Sequence, residues 1–226
     1  MKKKQKEKKS QIKAIIFDIG GVLQISKKPE RLVKDKYLKS LPKNCKHRHK
    51  GVHEYISGKL GISIDQWFDS IDTTYAASIM GKISENKVFS IISKNTKTPK
   101  NKLKKIVINA YKRNFNFNKQ LFKQALKLKK LGYKIAILSD QWHLSKKALV
   151  TSKITKNFNP VMISCDYGIR KPNPKIYKLI LKKLKILAKN CLFIDNQEWN
   201  IKPAKKLGMQ AILFKNNKQL FKQLSI

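Results

Sequence analysis

The chain has 226 residues, of which 52 are Lys or Arg and 13 are Asp or Glu, giving a formal charge of +39 at neutral pH. Its hydrophobic fraction of 41% can form the core of a large domain and excludes a chain that is disordered throughout. No apolar run reaches the roughly 18–20 residues that span a bilayer, and the three cysteines lack the spacing of a disulfide framework. We therefore expect a soluble, cytoplasmic protein.

The basic charge has two interpretations. Counterion release favours binding of a strongly basic protein to nucleic acid. However, only four of the basic residues are arginines, the side chain best suited to recognise phosphates and bases. We expect a solvated Lys-rich surface, with non-specific nucleic-acid binding as the alternative. Residues 1–11, MKKKQKEKKSQ, are expected to form a disordered basic tail, or else a tether to RNA or to an anionic membrane surface.

The first predicted element is a strand at residues 14–19, AIIFDI, which is too short and too β-branched for a good helix. The pattern changes over 25–115, where amphipathic stretches such as 63–80 and 84–93 replace buried runs. Ser84, followed by an acidic residue and then by apolar residues, is typical of a helix start. We therefore expect an all-helical insertion, a cap, over 25–115.

Helices and strands alternate through the rest of the chain. Helices are predicted at 118–132, 144–154, 173–186 and 200–208. Strands are predicted at 134–140, 161–166, 191–196 and 210–214. Such alternation implies parallel pairing through right-handed crossovers. The sequence therefore predicts an α/β fold with a doubly wound, Rossmann-like parallel sheet, formed by residues 12–24 and 116–226.

Polar side chains lie at or just after the ends of these strands, where open parallel sheets bind their ligands. They are Asp18, Ser139, Asp140, Lys171, Asp195 and Asn196. Asp18 and Asp195 could share a Mg²⁺ ion, because this cation prefers oxygen ligands, and one of the two could attack phosphorus. Ser139 and Lys171 could then donate to the phosphoryl oxygens. A positive charge on Lys171 would also keep the nucleophile ionised.

Four motifs in chain order resemble those of the haloacid dehalogenase-like (HAD) hydrolase superfamily. They are IIFDIGGVL at 15–23, ILSD at 137–140, GIRKPNPKIY at 168–177 and FIDNQEWNIKPAKKLGMQAILF at 193–214. More narrowly, they resemble the phosphatases with a small helical cap, which include the N-terminal phosphatase domain of soluble epoxide hydrolases and glucose-1-phosphatase-like members. The resemblance implies a HAD-like core with an inserted cap.

The same resemblance implies roles for individual residues. Asp18 would be the nucleophile and a Mg²⁺ ligand, with the Gly20 carbonyl and Asp195 as further ligands. Ser139 and Lys171 would hold the phosphoryl group.

Three positions depart from the family pattern. Gly20 stands where many members have an acid/base Asp, Asp140 where Asn is common, and Asn196 where a second acid is common. We expect Asp140 to contact phosphate or to hydrogen-bond the neighbouring loops, and Asn196 to contact the ligand directly or to support the site from outside by hydrogen bonds to those loops. Asn200 is expected to support it in the same way or to cap the helix that follows.

Gly20 also bears on the leaving group. Without an acid, the site should favour leaving groups that need little protonation, such as those of acyl, aryl or sugar anomeric phosphates. His143 is an alternative acid, although a histidine that only belongs to the loop is the simpler interpretation.

Four possible zinc ligands lie together in the predicted cap, although an exposed basic loop is the simpler interpretation. They are Cys45, His47, His49 and His53.

The sequence thus predicts a Mg²⁺-dependent phosphatase of a small phosphorylated metabolite. The alternatives are a metal-independent dehalogenase-type hydrolase and a catalytically weak binding protein with RNA affinity.

Overall fold

The computed structural model describes residues 12–27 and 51–224. Within them the chain forms seven strands: β1 (Ala14–Phe17), β2 (Gln24–Ser26), β3 (Phe115–Phe117), β4 (Lys134–Ser139), β5 (Val161–Ile163), β6 (Cys191–Asp195) and β7 (Gln210–Leu213). The α-helices of these residues are α1 (Val52–Leu60), α2 (Ile64–Ile79), α3 (Glu85–Asn95), α4 (Lys100–Asn114), α5 (Lys119–Lys130), α6 (His143–Leu149), α7 (Ser152–Asn157), α8 (Ser164–Tyr167), α9 (Pro174–Leu184), α10 (Glu198–Lys206) and α11 (Asn217–Leu224). The predicted basic tail at 1–11 lies outside the described residues. None of the described helices combines the length and apolarity needed to cross a bilayer.

Five strands form one parallel sheet in the order β5-β4-β1-β6-β7. The chain runs outward from β1 through β4 to β5, and then returns to the other side of β1 to form β6 and β7. The strand order therefore reverses between β1 and β6, which defines a doubly wound sheet with a switch point. The predicted α/β class is confirmed.

The central strand explains the nearly continuous apolar sequence at this position. Successive side chains of a strand point to opposite faces of its sheet. Ile15 and Phe17 pack into the core on one face, and Ala14 and Ile16 pack into a separate core on the other face. Because helices cover both faces, neither face tolerates polar residues, and the alternation of a half-exposed strand is lost.

Helices α1–α4 lie between two short strands that the sequence did not indicate. Strand β2 pairs antiparallel with β3, with Gln24 opposite Phe117. Each strand has three residues, too few for a periodic pattern to be visible. The helical content of the insertion agrees with a cap, while its exact limits at 25 and 115 stay a prediction. Ser84 caps α3 as expected, since its side chain accepts a hydrogen bond from the Lys87 amide.

Two predicted elements were wrong in detail. The strand predicted at 161–166 ends at Ile163, and α8 begins at Ser164. The helix predicted at 144–154 is two helices, α6 and α7, because Val150 leaves the helical conformation with ψ 82° and Thr151 begins the second helix. Both Val150 and Thr151 are β-branched, which weakens helix continuation.

The C-terminal end of α2 packs against the loop that follows β4. Ser78 Oγ accepts a hydrogen bond from the His143 amide at 3.0 Å and lies 2.8 Å from His143 Nδ1. The Tyr75 and Trp142 rings meet edge to face with centroids 5.2 Å apart. These contacts join the helical insertion to the core beside the carboxyl end of the sheet.

Candidate active site

The candidate site lies at the switch point between β1 and β6. Phe17 pairs with Ile194, so the residues that follow, Asp18 and Asp195, reach the same edge of the sheet. The Asp18 amide continues the pairing by donating to the Ile194 carbonyl at 2.9 Å. Ligands bind beyond strand ends at such a point.

A buried lysine joins the two carboxylates. Lys171 Nζ lies 2.5 Å from Asp195 Oδ2 and 3.2 Å from Asp18 Oδ1. The Lys171 side chain is only 2% exposed, so these contacts are shielded from solvent. The geometric expectation that Asp18 and Asp195 converge is confirmed.

The charges in this cluster influence one another. Burial is the main cause that raises the pKa of Asp18 to about 6, and the Asp195 charge adds to it, while Lys171 opposes the rise. Burial alone would lower the pKa of Lys171, but the carboxylates of Asp18, Asp195 and Asp140 outweigh it and raise that pKa. Lys171 therefore stays a cation at neutral pH.

Asp195 is held by the start of α10. Its Oδ1 accepts from the Gln197 amide at 2.8 Å, and its Oδ2 accepts from Asn200 Nδ2 at 3.1 Å. The expectation that Asn200 caps a helix was wrong, because α10 begins at Glu198 with Gln197 as its cap residue. Asn200 therefore lies inside the helix, where its amide turns toward the sheet and orients Asp195.

Ser139 and Asp140 end β4 with different contacts. Ser139 is fully buried, and its hydrogen bond to Asp18 lowers the pKa of that carboxyl, against the larger effect of burial. Asp140 Oδ1 accepts from the Lys171 amide at 3.1 Å, and its Oδ2 lies 3.5 Å from Arg170 Nε. Asp140 thus holds the loop that carries Lys171, which is the loop contact we considered for it. Its contact with phosphate stays a prediction.

The two glycines after β1 leave space for neighbouring amides. Gly21 has φ +81°, and a Cβ atom there would overlap the Asn196 side chain. Gly20 has room, since the nearest atom to an added Cβ is Gln141 Nε2 at 3.8 Å. Asn196 Oδ1 is buried without a hydrogen-bond partner among the described residues.

The zinc cluster, which was the alternative to an exposed basic loop, is not supported by the part that the structure describes. Cys45, His47 and His49 lie outside the described residues, and His53 Nδ1 accepts a hydrogen bond from the Trp67 indole at 2.9 Å. Within 12–27 and 51–224, no group of three His, Cys, Asp or Glu side chains could hold a metal ion.

Sequence reasoning missed Gln141, whose side chain donates to Ser139 Oγ at 3.0 Å. Its position two residues after Ser139 was the only signal available, and a glutamine in a loop is usually a surface residue.

The described residues thus combine a doubly wound parallel sheet, two carboxylates bridged by a lysine at its switch point, and helices inserted after its first strand. A model of the haloacid dehalogenase-like hydrolase family matches residues 12–208. This is more than half of the chain, and the chain therefore belongs to that family.

Individual relatives agree with this assignment. The chain is 31% identical over 112 residues to bifunctional epoxide hydrolase 2 of Sus scrofa, which covers 47% of the chain and 20% of that protein. It is 32% identical over 102 residues to a glyceraldehyde 3-phosphate phosphatase of Pyrococcus abyssi, which covers 42% of the chain and 41% of that protein. The matched segments are thus less than half of either relative.

A solved structure shares the fold over nearly the whole chain. It is a HAD family enzyme from Bacteroides thetaiotaomicron in a magnesium complex, with a TM-score of 0.67 and 20% identity. The similarity covers 94% of this chain and 99% of that one.

Proposed function

We propose that the protein is a Mg²⁺-dependent phosphatase of a small phosphorylated metabolite that works through an aspartyl-phosphate on Asp18. The observation that carries the proposal is the buried Lys171 ammonium between Asp18 and Asp195, at 3.2 and 2.5 Å. The two carboxylates offer oxygen ligands for a divalent cation, and such a cation together with the Lys171 ammonium would neutralise an anionic phosphoryl group.

Asp18 is the nucleophile in this proposal. Asp18 Oδ1 accepts a hydrogen bond from the Ile19 amide at 2.8 Å and faces Lys171. We therefore assign the attack on phosphorus to the other carboxylate oxygen, Oδ2. Oδ2 forms a bond to phosphorus while the ester P–O bond breaks and its electron pair remains on the leaving oxygen. Water then hydrolyses the acyl phosphate and regenerates the carboxylate. A pKa of about 6 leaves Asp18 ionised at neutral pH.

Ser139 and Lys171 stabilise the transferred group. Both are buried beside Asp18, where a hydrogen bond or a positive charge is weakened little by water. As charge spreads over the phosphoryl oxygens, the Ser139 hydroxyl and the Lys171 ammonium donate to them. The hydrogen bonds from Ile19 and Asn200 keep the two carboxylates in place during the reaction.

The oxygen atoms at the ends of β1 and β6 fit a magnesium ion. Asp18, Asp195 and the Gly20 carbonyl offer the hard oxygen ligands that Mg²⁺ prefers. The buried Asn196 Oδ1, which has no hydrogen-bond partner within 12–27 and 51–224, is a further oxygen beside Gly21. When bound, the ion supplies positive charge that offsets the phosphate and lets an anionic nucleophile approach it.

The similarity to the glyceraldehyde 3-phosphate phosphatase of Pyrococcus abyssi supports a small phosphorylated substrate. Gly20 supports a preference for leaving groups that need little protonation. Since residue 20 has no side chain to donate a proton, we expect faster release of phosphate from aryl or acyl phosphates than from simple alkyl phosphates.

The test is phosphate release from a panel of aryl, acyl, sugar and alkyl phosphates, with Mg²⁺ and with EDTA. Asp18→Asn should lower the rate at least about 10³-fold, as loss of a nucleophile does in other hydrolases. Asp72→Asn, the same change on the exposed side of α2, is the matched control.

Three outcomes would contradict the proposal. Activity that survives Asp18→Asn would exclude Asp18 as nucleophile. Halide release from haloacids in EDTA, without phosphate release, would favour a dehalogenase. RNA binding with a steep salt dependence and no hydrolysis would favour a binding protein.

A further inference from the structure

We propose that Gln141 is a positioning residue of the reaction, which directs the Ser139 hydroxyl toward the phosphoryl site through its carboxamide. This inference rests on the proposed function. Gln141 has no role in the mechanism above, although it is 5% exposed and its side chain ends at Ser139.

The direction of the Ser139 hydroxyl follows from hydrogen-bond donors and acceptors. Gln141 Nε2 donates to Ser139 Oγ at 3.0 Å. An amide nitrogen has hydrogens to give and no lone pair to accept, so Ser139 cannot point its own hydrogen at it. The hydroxyl hydrogen is therefore free to point away from Gln141, toward the Asp18 side of the site. It is thus available to a phosphoryl oxygen in front of Asp18.

The backbone of Gln141 is fixed from the neighbouring strand. Its amide donates to Ser164 Oγ at 3.1 Å, and Ser164 Oγ donates to the Gln141 carbonyl at 3.3 Å. Ser164 is fully buried at the start of α8, directly after β5. The Ser164 hydroxyl thus bonds both the amide and the carbonyl of Gln141, which fixes the backbone position from which the Gln141 side chain extends.

Gly20 provides the space for this carboxamide. Among the described residues other than its chain neighbours, Gln141 Nε2 is the one atom within 4 Å of a Cβ atom placed at residue 20, at 3.8 Å. A Cβ alone would fit there, but a longer side chain directed this way would meet the amide. The Gln141 amide thus lies in the space where a longer side chain at residue 20 could extend.

The test removes the donor and keeps the length of the side chain. Gln141→Met should lower kcat about 10- to 100-fold, the range for residues that orient a directly acting group, and should leave KM unchanged. KM should not change because Ser139 acts mainly on charge that develops in the transition state. Gln223→Met, on the exposed side of α11, is the matched control, and thermal unfolding verifies that each variant is folded.

A double-mutant cycle with Ser139→Ala separates positioning from a general structural role. If Gln141 acts through Ser139, Gln141→Met has no further effect on kcat once Ser139→Ala is present. Multiplied losses in the double variant would overturn the inference, as would an unchanged kcat in Gln141→Met alone. Gln141→Glu is the second variant, since it keeps the shape, cannot donate when ionised, and should also lose activity.

The outcomes for the proposed function are separate. An active chain that is inactivated by Asp18→Asn, but indifferent to Gln141→Met, would overturn only the role of Gln141. A chain that releases no phosphate from any substrate would overturn both.

Discussion

Asp18→Asn should stabilise the folded protein at neutral pH while it removes activity. The pKa of Asp18 is raised from 3.8 to about 6, mainly by burial. A carboxyl whose pKa is raised by folding contributes stability that is fully present below its unfolded pKa and is lost as the pH rises through its folded pKa. The free energy of unfolding should therefore fall between about pH 4 and pH 6 because of Asp18. Asparagine has nearly the same shape and carries no charge, so this loss should be absent from the variant.

The size of the effect follows from the two pKa values. A tenfold change in proton affinity corresponds to about 1.4 kcal/mol, so ionised Asp18 costs the folded state about 3 kcal/mol at pH 7. This value already includes the attraction of Lys171, whose other partner, Asp195 at 2.5 Å, is not changed by the substitution. For a domain of this size, about 3 kcal/mol raises Tm by about 6–12 °C.

The measurement is urea unfolding of both proteins in EDTA at a series of pH values from 4 to 8. The difference between the two free energies should be near zero at the acidic end and should grow up to about pH 7. Asp140, whose pKa is also raised by burial, is present in both proteins, so its own titration does not produce the difference. A variant that is less stable at pH 7, or a difference that does not change with pH, would refute the reasoning. Asp72→Asn controls for the loss of one negative charge.

Two further substitutions test the cluster and the packing of the cap. Lys171→Met leaves two buried carboxylates without their cation. The free energy of unfolding in urea at pH 7 should therefore fall by about 3–5 kcal/mol, and phosphatase activity should be lost. A variant as stable as the original protein would contradict the ion-pair geometry. Gly81 has φ +62°, and its Cβ would overlap the Cys165 carbonyl oxygen, so Gly81→Ala should cost about 2–4 kcal/mol from strain and overlap together. Gly61, at φ +73° with open space around it, is the matched control position. Gly61→Ala should lower the free energy of unfolding by only about 1–2 kcal/mol. Equal losses of stability at both glycines would show that the contact with Cys165 contributes nothing.

Most of the core fold could be predicted from local pattern. Strand β1 is buried on both faces, so its apolar run is continuous and easy to recognise. The ribbon of β2 and β3 could not be recognised, since three residues carry no period and their pairing joins positions 24 and 117. The break between α6 and α7 is a local feature of Val150 and Thr151 that the amphipathic pattern does not record.

The residues of the candidate site also divide into those that the sequence predicted and those whose role only the structure shows. Asp18, Ser139, Lys171 and Asp195 were predicted because their chemistry stands at strand ends or in the adjoining loop. Asn200 was expected to support the site or to cap a helix, and only the observed start of α10 decides between them. Gln141 carries no sequence signal, because its importance lies in a contact with Ser139 and in the space beside Gly20.

The sequence by itself determined which segments become strands and helices, and which of them end in acids, a hydroxyl or an amine, because these features depend on neighbours within one or two turns. Only the tertiary structure decided that Asp18 and Asp195 share one lysine and that Gln141 faces Gly20. These contacts depend on β1 lying between β4 and β6. That order results from burying both faces of the whole sheet, to which residues from β1 through α11 contribute.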